Sequence, residues 1–464
     1  MKTRNKKSRR SFIKKIASSA VAVSGLTTLA VKAGKPRPEL IEVKKYPAND
    51  KVRVAAIGMG IMGFNNCQTT VQVPGVELVA VCDLYNGHFA RAKKDFGDHL
   101  FTTRDYKEIL AKDDIDAVII STPDHWHDHI SIDAMKSGKA VYCEKPMVHH
   151  IEEGRAVIDT EKKTGKVFQV GSQRVSSIVY HKAAEIYKSG TIGQLILVET
   201  YNDRQSALGA WQYSIPPDAS PNTIDWDRFI GDAPSHSFDS VRFFRWRNYQ
   251  DYGTGVAGDL FVHLFSGLHV VLNSLGPERI FATGGLRYWK DGRDVPDVML
   301  AVVDYPETTD HPAFNLQIRV NFVDGGGGGS LLKLVGAEGT MVIRGNSIFI
   351  TKNKMPDAPG YGGWDTYNTF PEATQFGFRI QYESKYPEKR ATMFDPEELV
   401  YSAPKGYSSE LDHHSNFYNA IRTGTSVVEN AEFGMRACGP PLATNLSYFE
   451  NRIVHWDPVK MKVN

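Results

Sequence analysis

A glycine fingerprint placed directly after a buried strand constrains the fold of this chain more than any other feature. Residues Val52 to Ile57 are apolar apart from Arg53, the pattern of a parallel strand covered on both faces. The sequence G-x-G-x-x-G follows at once from Gly58 to Gly63 and leads into a helical stretch. An acid, Asp83, lies about twenty residues further on. This order predicts a doubly wound nucleotide-binding domain.

The fingerprint also predicts which groups hold the nucleotide. Its first glycine permits a tight turn, its second lets the backbone approach the pyrophosphate, and its third lets helix and strand pack closely. Asp83 would accept hydrogen bonds from the ribose hydroxyls, and its charge would repel a 2′-phosphate, which favours NAD over NADP. A degenerate nucleotide fold with nothing bound is the alternative. The predicted phosphate-binding turn, at a helix N-terminus, comprises Gly58, Gly60, Ile61, Met62 and Gly63.

Further apolar runs extend the first domain, and the character of the chain then changes. Helical segments separate the runs, so we predict a Rossmann domain with a parallel sheet over residues 51–175. From about residue 180 the strand-like runs are longer and more aromatic, which predicts an α+β domain with an antiparallel sheet over residues 176–464. The runs of the first domain are Val76 to Cys82, Ile115 to Ile120, Ala140 to Cys143 and Val167 to Val170. Those of the second are Leu195 to Tyr201, Ile280 to Leu286, Val298 to Asp304, Phe314 to Val323 and Leu331 to Ile343.

Helices and breakers punctuate the second domain. A helix is predicted at roughly Gly258 to Ser274, and the closing part is predicted to be helical in three pieces. Five consecutive glycines, Gly325 to Gly329, predict a mobile loop and not a rigid strand. The closing helices are predicted at Asp412 to Arg422, Asn430 to Ala437 and Leu442 to Arg452, with Gly439-Pro440-Pro441 separating the last two.

The N-terminus has the pattern of a twin-arginine export signal. Ser8-Arg9-Arg10-Ser11-Phe12-Ile13-Lys14 precedes an uncharged stretch from Ile16 to Val31. We therefore expect a signal over residues 1–33, a linker over 34–50, the twin-arginine machinery as a partner and a periplasmic protein. A basic tail and an uncleaved membrane tether are the alternatives. Since this route carries folded proteins, NAD would be loaded before export and its hydride would have to be recycled outside.

Composition excludes several classes of protein. Hydrophobic residues make up 41% of the chain and charged residues 23%, values of an ordinary soluble globular protein. A net charge of +2, with no basic stripe carrying interleaved aromatics, gives no reason to expect nucleic-acid binding. The four cysteines show no C-x-x-C spacing, so buried thiols are favoured, with a disulfide as the alternative.

Two short motifs carry candidate chemistry. Glu144-Lys145-Pro146 ends a predicted strand at the sheet edge where such folds bind ligands, so Lys145 can polarise or protonate a substrate oxygen. Asp259 and His263 are four residues apart on one predicted helix, where the carboxylate can orient the imidazole as a base. An ordinary surface lysine and an inconsequential helix pair are the alternatives.

The stretch from Asp124 to His129 resembles a metal-binding cluster in composition. Three histidines and two aspartates could ligate zinc, but no partner set of Cys or His lies nearby. We therefore expect no metal site, and expect His127 to line the cofactor or substrate cleft.

Together these motifs resemble the Gfo/Idh/MocA family, named after glucose–fructose oxidoreductase and inositol dehydrogenase. The shared order is G-x-G-x-x-G, the acid, T-P-x-x-x-H from Thr122 and Pro123 to His127, E-K-P, and D-x-x-x-H. The resemblance continues through four further segments towards the end of the chain. These are Gly190 to Gly193, Asp225 to Asp227, Gly336 to Gly339 and Asn416 to Arg422.

The resemblance implies a role for each site residue. Lys145 would contact nicotinamide ribose and substrate, His263 would be the base beside Asp259, and Pro146 would follow a cis peptide bond. The second domain would be a large open antiparallel sheet that forms a homo-oligomer interface. Thr122, Pro123, His127 and Glu144 complete the cofactor site, and Arg174 is a further predicted substrate contact.

The chain also departs from the family's pattern. An aspartate usual after the histidine is absent, where Phe265 and Ser266 stand. A long aromatic insert from Arg204 to Tyr249 contains residues that could form a carbohydrate platform, with domain core as the equal alternative. These residues are Trp211, Arg245, Trp246 and Arg247.

The sequence thus predicts an exported NAD-dependent oxidoreductase acting on a sugar or glycoside hydroxyl. His263 would remove the hydroxyl proton, Lys145 would stabilise the charge on oxygen, and Asp259 would orient the imidazole. One alternative is a redox-neutral NAD-dependent glycosidase or lyase. Another is a sugar-binding protein that has kept the fold without the chemistry.

Overall fold

The computed structural model describes residues 51–389 and 391–464. The predicted signal over 1–33 and the linker over 34–50 lie outside these residues. Within them, no helix combines the length and the apolar character needed to cross a membrane.

The first sheet is a six-stranded parallel sheet, as predicted. Its strand order is β3-β2-β1-β4-β5-β6, with the reversal of direction between β1 and β4. The short β3 escaped prediction because three residues carry too little pattern. The strands are β1 Val52–Ile57, β2 Val76–Cys82, β3 Phe101–Thr103, β4 Ala117–Ile120, β5 Ala140–Cys143 and β6 Phe168–Val170.

The second sheet has ten strands and confirms the predicted fold class. Its order is β14-β13-β12-β11-β7-β10-β9-β8-β15-β16, and among its main strands only β7 and β10 run parallel. The central strands are β7 Leu195–Asp203, β8 Arg279–Gly285, β9 Val298–Tyr305, β10 Phe314–Asn321 and β11 Gly329–Gly336. The remaining strands are β12 Gly339–Arg344, β13 Ser347–Lys352, β14 Glu397–Ser402, β15 Val454–Asp457 and β16 Lys462–Val463.

Helices flank the first sheet and cover one face of the second. In the first domain they are α1 Ile61–Thr70, α2 Asn86–Phe96, α3 Tyr106–Leu110, α4 His127–Lys136 and α5 Gly154–Thr164. In the second they are α6 Ile178–Lys188, α7 Trp226–Ile230, α8 Ser240–Phe244, α9 Val262–Leu272, α10 Glu372–Lys385, α11 Ser409–Thr423 and α12 Ala431–Glu450.

Two predicted elements are corrected. The run from Leu331 to Ile343 is two antiparallel strands, because the turn between Gly336 and Gly339 reverses the chain. The predicted break at Pro440 and Pro441 was wrong, since both lie inside the continuous helix α12. That helix packs on β8 and α9, and this burial outweighs the two backbone donors that the prolines lack.

The polyglycine segment is a loop that leads into β11. Backbone N–H groups of Gly326, Gly327 and Gly328 donate to the Asp324 carboxylate at 3.0 to 3.1 Å. This turn places Ser330 opposite Asn202 of β7.

Candidate active site

The predicted phosphate-binding turn has the geometry of an open cradle. Gly58 has φ of +89°, and a Cβ there would lie 2.7 Å from the Ser121 carbonyl group, so only glycine fits. At Gly60 a Cβ would meet nothing within 4 Å. The backbone is therefore bare on the side from which a pyrophosphate would approach, at the N-terminus of α1, which begins with Ile61 and Met62. Gly63 meets the carbonyl of Gly58 closely and lets α1 pack on the turn.

Asp83 closes this turn at the end of β2. Its Oδ2 accepts from the Met59 N–H at 2.6 Å, and its Oδ1 accepts from the Tyr85 N–H at 2.8 Å and contacts His88 Nδ1 at 2.9 Å. Burial opposes its charge, but His88 and the two N–H donors hold the pKa of Asp83 below its usual value. The carboxylate is thus ionised at the place where ribose hydroxyls are predicted to bind.

The end of β4 supplies an unpartnered polar atom. The Oγ1 of Thr122 is buried and has no hydrogen-bond partner among the described residues. Thr122 lies beside the glycine turn, because the N–H of the preceding residue, Ser121, donates to the carbonyl of Ile57. Pro123 follows Thr122. A dinucleotide lying across the β1/β4 reversal fits both the bare turn and this hydroxyl.

His127 lies behind the cleft and does not line it, which corrects the prediction. It is 1% exposed, with Nδ1 at 2.7 Å from the Pro146 carbonyl and Nε2 at 3.0 Å from the Thr122 carbonyl. Burial lowers its pKa, but the Cys143 sulfur, Asp124 and the Pro146 carbonyl outweigh burial and raise it to about 10. The charged imidazole can donate to both carbonyls and so ties the β4 loop to the E-K-P loop.

Glu144 is also a positioning residue. It is 4% exposed, its Oε1 accepts from Asn66 Nδ2 at 2.9 Å, and burial raises its pKa although Lys145 opposes that shift. It joins helix α1 to the end of β5, and the Lys145–Pro146 peptide bond that follows is cis, as the resemblance implies.

Lys145, Asp259 and Arg247 form one ion-pair network. Lys145 Nζ donates to Asp259 Oδ1 at 2.7 Å and to the Asp259 carbonyl at 3.0 Å. Arg247 Nε donates to the same Oδ1 at 3.1 Å. Burial opposes ionisation of Asp259, yet Lys145 and Arg247 hold its pKa far below the usual range. The predicted lysine, acid and arginine therefore meet in one place.

His263 lies one turn beyond this network on the same helical segment. The turn carrying Asp259, Ala257–Phe261, is π-helical and runs directly into α9. Burial first, then the positive charges of Lys145 and Arg174, lower the pKa of His263 well below its ordinary value. At neutral pH the imidazole is uncharged and can accept a proton.

The orienting role predicted for Asp259 is corrected. The carboxylate of Asp259 accepts hydrogen bonds from the cations Lys145 and Arg247, and no hydrogen bond joins it to His263 within the described part of the chain. Asp259 instead fixes the ammonium group of Lys145 beside His263, and acts on the imidazole through its charge.

Arg174, predicted to contact the substrate, lies next to His263. Its Nη1 donates to the His263 carbonyl at 3.1 Å, and its Nη2 lies 3.5 Å from Ser330 Oγ. Its guanidinium is half-buried and stands over the ring of Tyr180. Arg174 thus links the helical segment that carries His263 to β11 of the second sheet.

The carbohydrate platform is not where the sequence suggested. Trp211 is 1% exposed and packs edge-on against Phe322, so it is a core residue. The face of Trp246 is covered by the guanidinium of Arg247 at 4.2 Å. Arg245 donates to the Tyr213 carbonyl and to Gln212, and so braces the insert.

Two residues of the site were missed. Arg204 follows β7, and its charge acts on both Asp259 and His263. The half-buried phenol of Tyr213 interacts electrostatically with Arg247, Asp259 and Arg204. The only sequence signal for these two residues was the high aromatic and arginine content of the insert. The prediction drawn from it named other residues of the insert, Trp211, Arg245, Trp246 and Arg247.

The aspartate and histidine cluster is distributed among structural contacts. Asp124 Oδ2 accepts from Thr254 N–H at 2.9 Å, and His125 Nε2 lies 2.9 Å from the Phe229 carbonyl. A different group, His149, His150 and Glu153, brings potential ligand atoms within 4.8 Å of one another. Glu153 Oε2 in that group already accepts from the backbone N–H groups of both histidines.

The aromatic insert crosses the carboxyl edge of the first sheet. Tyr85 Oη donates to Asp218 at 2.6 Å, and Asn86 N–H donates to the Thr223 carbonyl at 3.0 Å. Further along, Trp126 Nε1 donates to the Phe229 carbonyl at 3.0 Å. The segment from 218 to 230, the strap, therefore runs from the loop after β2 to the loop after β4, across the β1/β4 reversal.

Comparison with known proteins agrees with this geometry. Residues 52–172 match the profile of the Gfo/Idh/MocA oxidoreductase family, described as an NAD-binding Rossmann fold. A glycosyl hydrolase family 109 protein of Shewanella baltica is 36% identical over 179 residues, which are 34% of this chain and 38% of that protein. An alpha-N-acetylgalactosaminidase of Shewanella oneidensis is 40% identical over 128 residues, 26% of this chain and 28% of the enzyme. The chain thus matches well under half the length of these relatives.

Solved structures share the fold at lower identity. A levoglucosan dehydrogenase in complex with NADH and levoglucosan superposes with a TM-score of 0.61 at 17% identity, covering 87% of this chain and 99% of that one. A myo-inositol 2-dehydrogenase from Lactobacillus plantarum gives a TM-score of 0.58 at 20% identity, with coverage of 87% and 99%. The likeness extends over both sheets.

Proposed function

We propose that this chain, whose residues 52–172 match the profile of the Gfo/Idh/MocA oxidoreductase family, is an NAD-dependent enzyme of that family that oxidises a sugar or glycoside hydroxyl. The observation that carries this proposal is the meeting of Lys145, Asp259 and His263 beside the carboxyl edge of the NAD-binding sheet. An ammonium group fixed beside an uncharged buried imidazole is the pair that alcohol oxidation requires.

Each residue has a defined task. The uncharged imidazole of His263 takes the hydroxyl proton, and the Lys145 ammonium stabilises the negative charge that develops on oxygen. Asp259 positions that ammonium through the 2.7 Å contact, and Arg247 shares the carboxylate. NAD, when bound, supplies the acceptor for the hydride that leaves the carbinol carbon. The carbon–oxygen bond thereby becomes a carbonyl.

A redox-neutral glycosidase or lyase is the second candidate. The named relatives, a glycosyl hydrolase family 109 protein and an alpha-N-acetylgalactosaminidase, favour it. A transient carbonyl acidifies the neighbouring C–H group, so that a glycosidic oxygen can leave before the carbonyl is reduced again. The same Lys145 and His263 serve both candidates at the oxidation step.

Solvent exchange distinguishes the two candidates. In D₂O, the redox-neutral reaction puts deuterium on the carbon beside the oxidised one and accumulates product far beyond the protein concentration without added nucleotide. Net oxidation instead stops after one equivalent unless a second carbonyl compound is supplied, and leaves a ketone or lactone without solvent deuterium. Incubating the purified protein with a panel of sugars and glycosides, while following both reduced nicotinamide and released product, tests the shared proposal.

The cofactor is proposed to stay bound through many turnovers. The strap supports this, because its hydrogen bonds to Tyr85, Asn86 and Trp126 span the site where the dinucleotide would lie. Release of NAD would require these contacts to open. A retained cofactor also suits export, which we propose on the sequence signal at Arg9 and Arg10. Cell fractionation tests the proposed export. The Arg9→Lys/Arg10→Lys variant is expected to lose the periplasmic form that wild type shows.

We propose a homo-oligomer formed through the outer face of the second sheet. Helices cover the other face, while this one exposes apolar side chains on neighbouring strands. Phe281 is 45% exposed opposite Val302 at 53%, and Phe349 is 43% exposed opposite Val400 at 43%. Light scattering of wild type against Val302→Lys tests it, with a smaller species expected for the variant.

A further inference from the structure

Four cations lie around the helical segment of Asp259 and His263, and the one carboxylate there pairs with two of them. The cationic rim consists of Lys145, Arg174, Arg204 and Arg247. Lys145 and Arg247 share the carboxylate of Asp259. Among the described residues Arg174 and Arg204 have no ion-pair partner: their guanidinium groups meet the His263 carbonyl, Ser330 Oγ and the Gly209 carbonyl.

The acids nearest to Arg204 in the chain are engaged elsewhere. Asp203 is paired with Arg319 at 2.7 Å, and Asp324 accepts from the backbone of the glycine loop. Among the described residues, the rim therefore carries more positive charge than the one carboxylate paired with it can balance. Half-buried guanidinium groups without a counter-charge are costly unless an anion completes the site.

The two arginines without an ion-pair partner contact the second sheet and its glycine loop, whereas the phosphate turn belongs to the first sheet. Arg174 reaches from the His263 carbonyl to Ser330 on β11. Arg204 continues β7, and its Cα lies 3.4 Å from the position a Cβ would take on Gly328. Both arginines are thus fixed to the second sheet, whereas the bare backbone that would receive a pyrophosphate is at Gly60.

We infer that the sugar substrate carries an anionic group, a uronate carboxylate or a sulfate ester, which Arg174 and Arg204 bind beside the reacting hydroxyl. This inference rests on the proposed function of the same site. Planar guanidinium groups match the paired oxygens of both anions and bind them with charge-assisted hydrogen bonds. The neutral sugar of the same configuration would leave two cations unbalanced and would bind more weakly.

Matched substrate pairs test the inference on the NAD-loaded protein. The pairs are methyl glucosides against methyl glucuronides, methyl galactosides against methyl galacturonides, and each neutral glycoside against its 6-sulfate. The expected result is a kcat/KM higher by about 100-fold for one anionic series, and the series that responds identifies carboxylate or sulfate. Equal or better turnover of the neutral members overturns the inference and leaves the proposed function standing.

Variants assign the effect to the rim. Arg174→Gln and Arg204→Gln are each expected to raise KM for the anionic sugar by roughly 10- to 100-fold more than KM for the neutral one, measured well above the acid limb of the pH–rate profile. The corresponding lysine variants should recover part of the loss, and all should keep bound NAD. Arg155→Gln, at a side chain 72% exposed on α5, is the matched control. An equal loss for both members of a pair would overturn the inference.

Binding separates this inference from the proposed function. Calorimetry with glucuronate, galacturonate and glucose 6-sulfate against glucose and galactose needs no turnover. Selective binding of an anionic sugar, lost in Arg204→Gln, without reduction of NAD by any sugar, would support the anion site and contradict the proposed oxidation. Absence of both binding preference and turnover would contradict both.

Discussion

Lys145 donates twice to Asp259, to the carboxylate at 2.7 Å and to the backbone carbonyl at 3.0 Å. The contact joins the loop after β5 of the first sheet to the π-helical turn that precedes His263 in the second domain. One carboxylate thereby ties the ammonium group of Lys145 to the helical segment that carries His263. The proposed chemistry requires the two domains to keep this contact.

Removing the base or the ammonium group should abolish most turnover. His263→Ala and Lys145→Ala are each expected to lower kcat by about 10² to 10⁴, because each removes a positioned acid–base or electrostatic group. Steady-state kinetics checks this, with circular dichroism and bound-NAD content as controls for folding. Near wild-type rates in both variants would contradict the site assignment.

Asp259→Asn separates positioning from proton transfer. The amide keeps the shape of the side chain but loses the charge that holds Lys145 and Arg247. We therefore expect kcat to fall less than it does in Lys145→Ala, and we expect KM to change as well. Loss of that charge also lowers the pKa of His263 further, since Asp259 opposes the shift caused by burial and Lys145. A shift of the acid limb of the pH–rate profile to higher pH in this variant would contradict the assignment.

The pH–rate profile of wild type should report the uncharged base. Burial and the charges of Lys145 and Arg174 lower the pKa of His263 below its ordinary value of 6.5. Since only the neutral imidazole accepts the proton, kcat/KM should fall only at pH values below 6.5. Arg174→Gln removes one of those charges and should move this limb to higher pH, whereas Arg155→Gln should leave it in place.

The strap should control cofactor release. Tyr85→Phe removes the donor and Asp218→Ala removes the acceptor of the 2.6 Å hydrogen bond that ties the strap to the loop after Asp83. A hydrogen bond to a charged group contributes about 1.5 to 3 kcal/mol, so NAD release should accelerate by roughly 10-fold or more. Stopped-flow displacement by a fluorescent dinucleotide measures this rate. Additive effects in the double variant would show that the two residues act separately, against this account.

Much of this architecture follows from local sequence pattern. The strand before Gly58, the turn and the acid at Asp83 are contiguous signals, and the structure confirms the parallel sheet that they predict. The predicted break of helix α12 at Pro440 was wrong because tertiary packing, which no local pattern reports, keeps the helix continuous there. The packing is so close that a Cβ on the neighbouring Gly439 would collide with the ring of Trp456.

The site was predictable only where a motif names its residues. Lys145, Asp259 and His263 were found through short motifs, and the structure brings them together. Arg204 was missed as a site residue because it belongs to no motif and reaches the site only through the pairing of β7 with β11. Trp211 was misassigned because an aromatic residue in an insert has the same sequence pattern whether it packs inward or faces a ligand.

The most direct measurement is a single turnover on the protein as purified. Protein isolated without added nucleotide, and shown to carry NAD, is mixed with each sugar of the panel while reduced nicotinamide absorbance is followed. We expect reduced nicotinamide to appear, up to one equivalent, with at least one sugar, more slowly when the oxidised carbon carries deuterium, and not at all in His263→Ala. Bound NAD that no sugar reduces, even transiently, would contradict it.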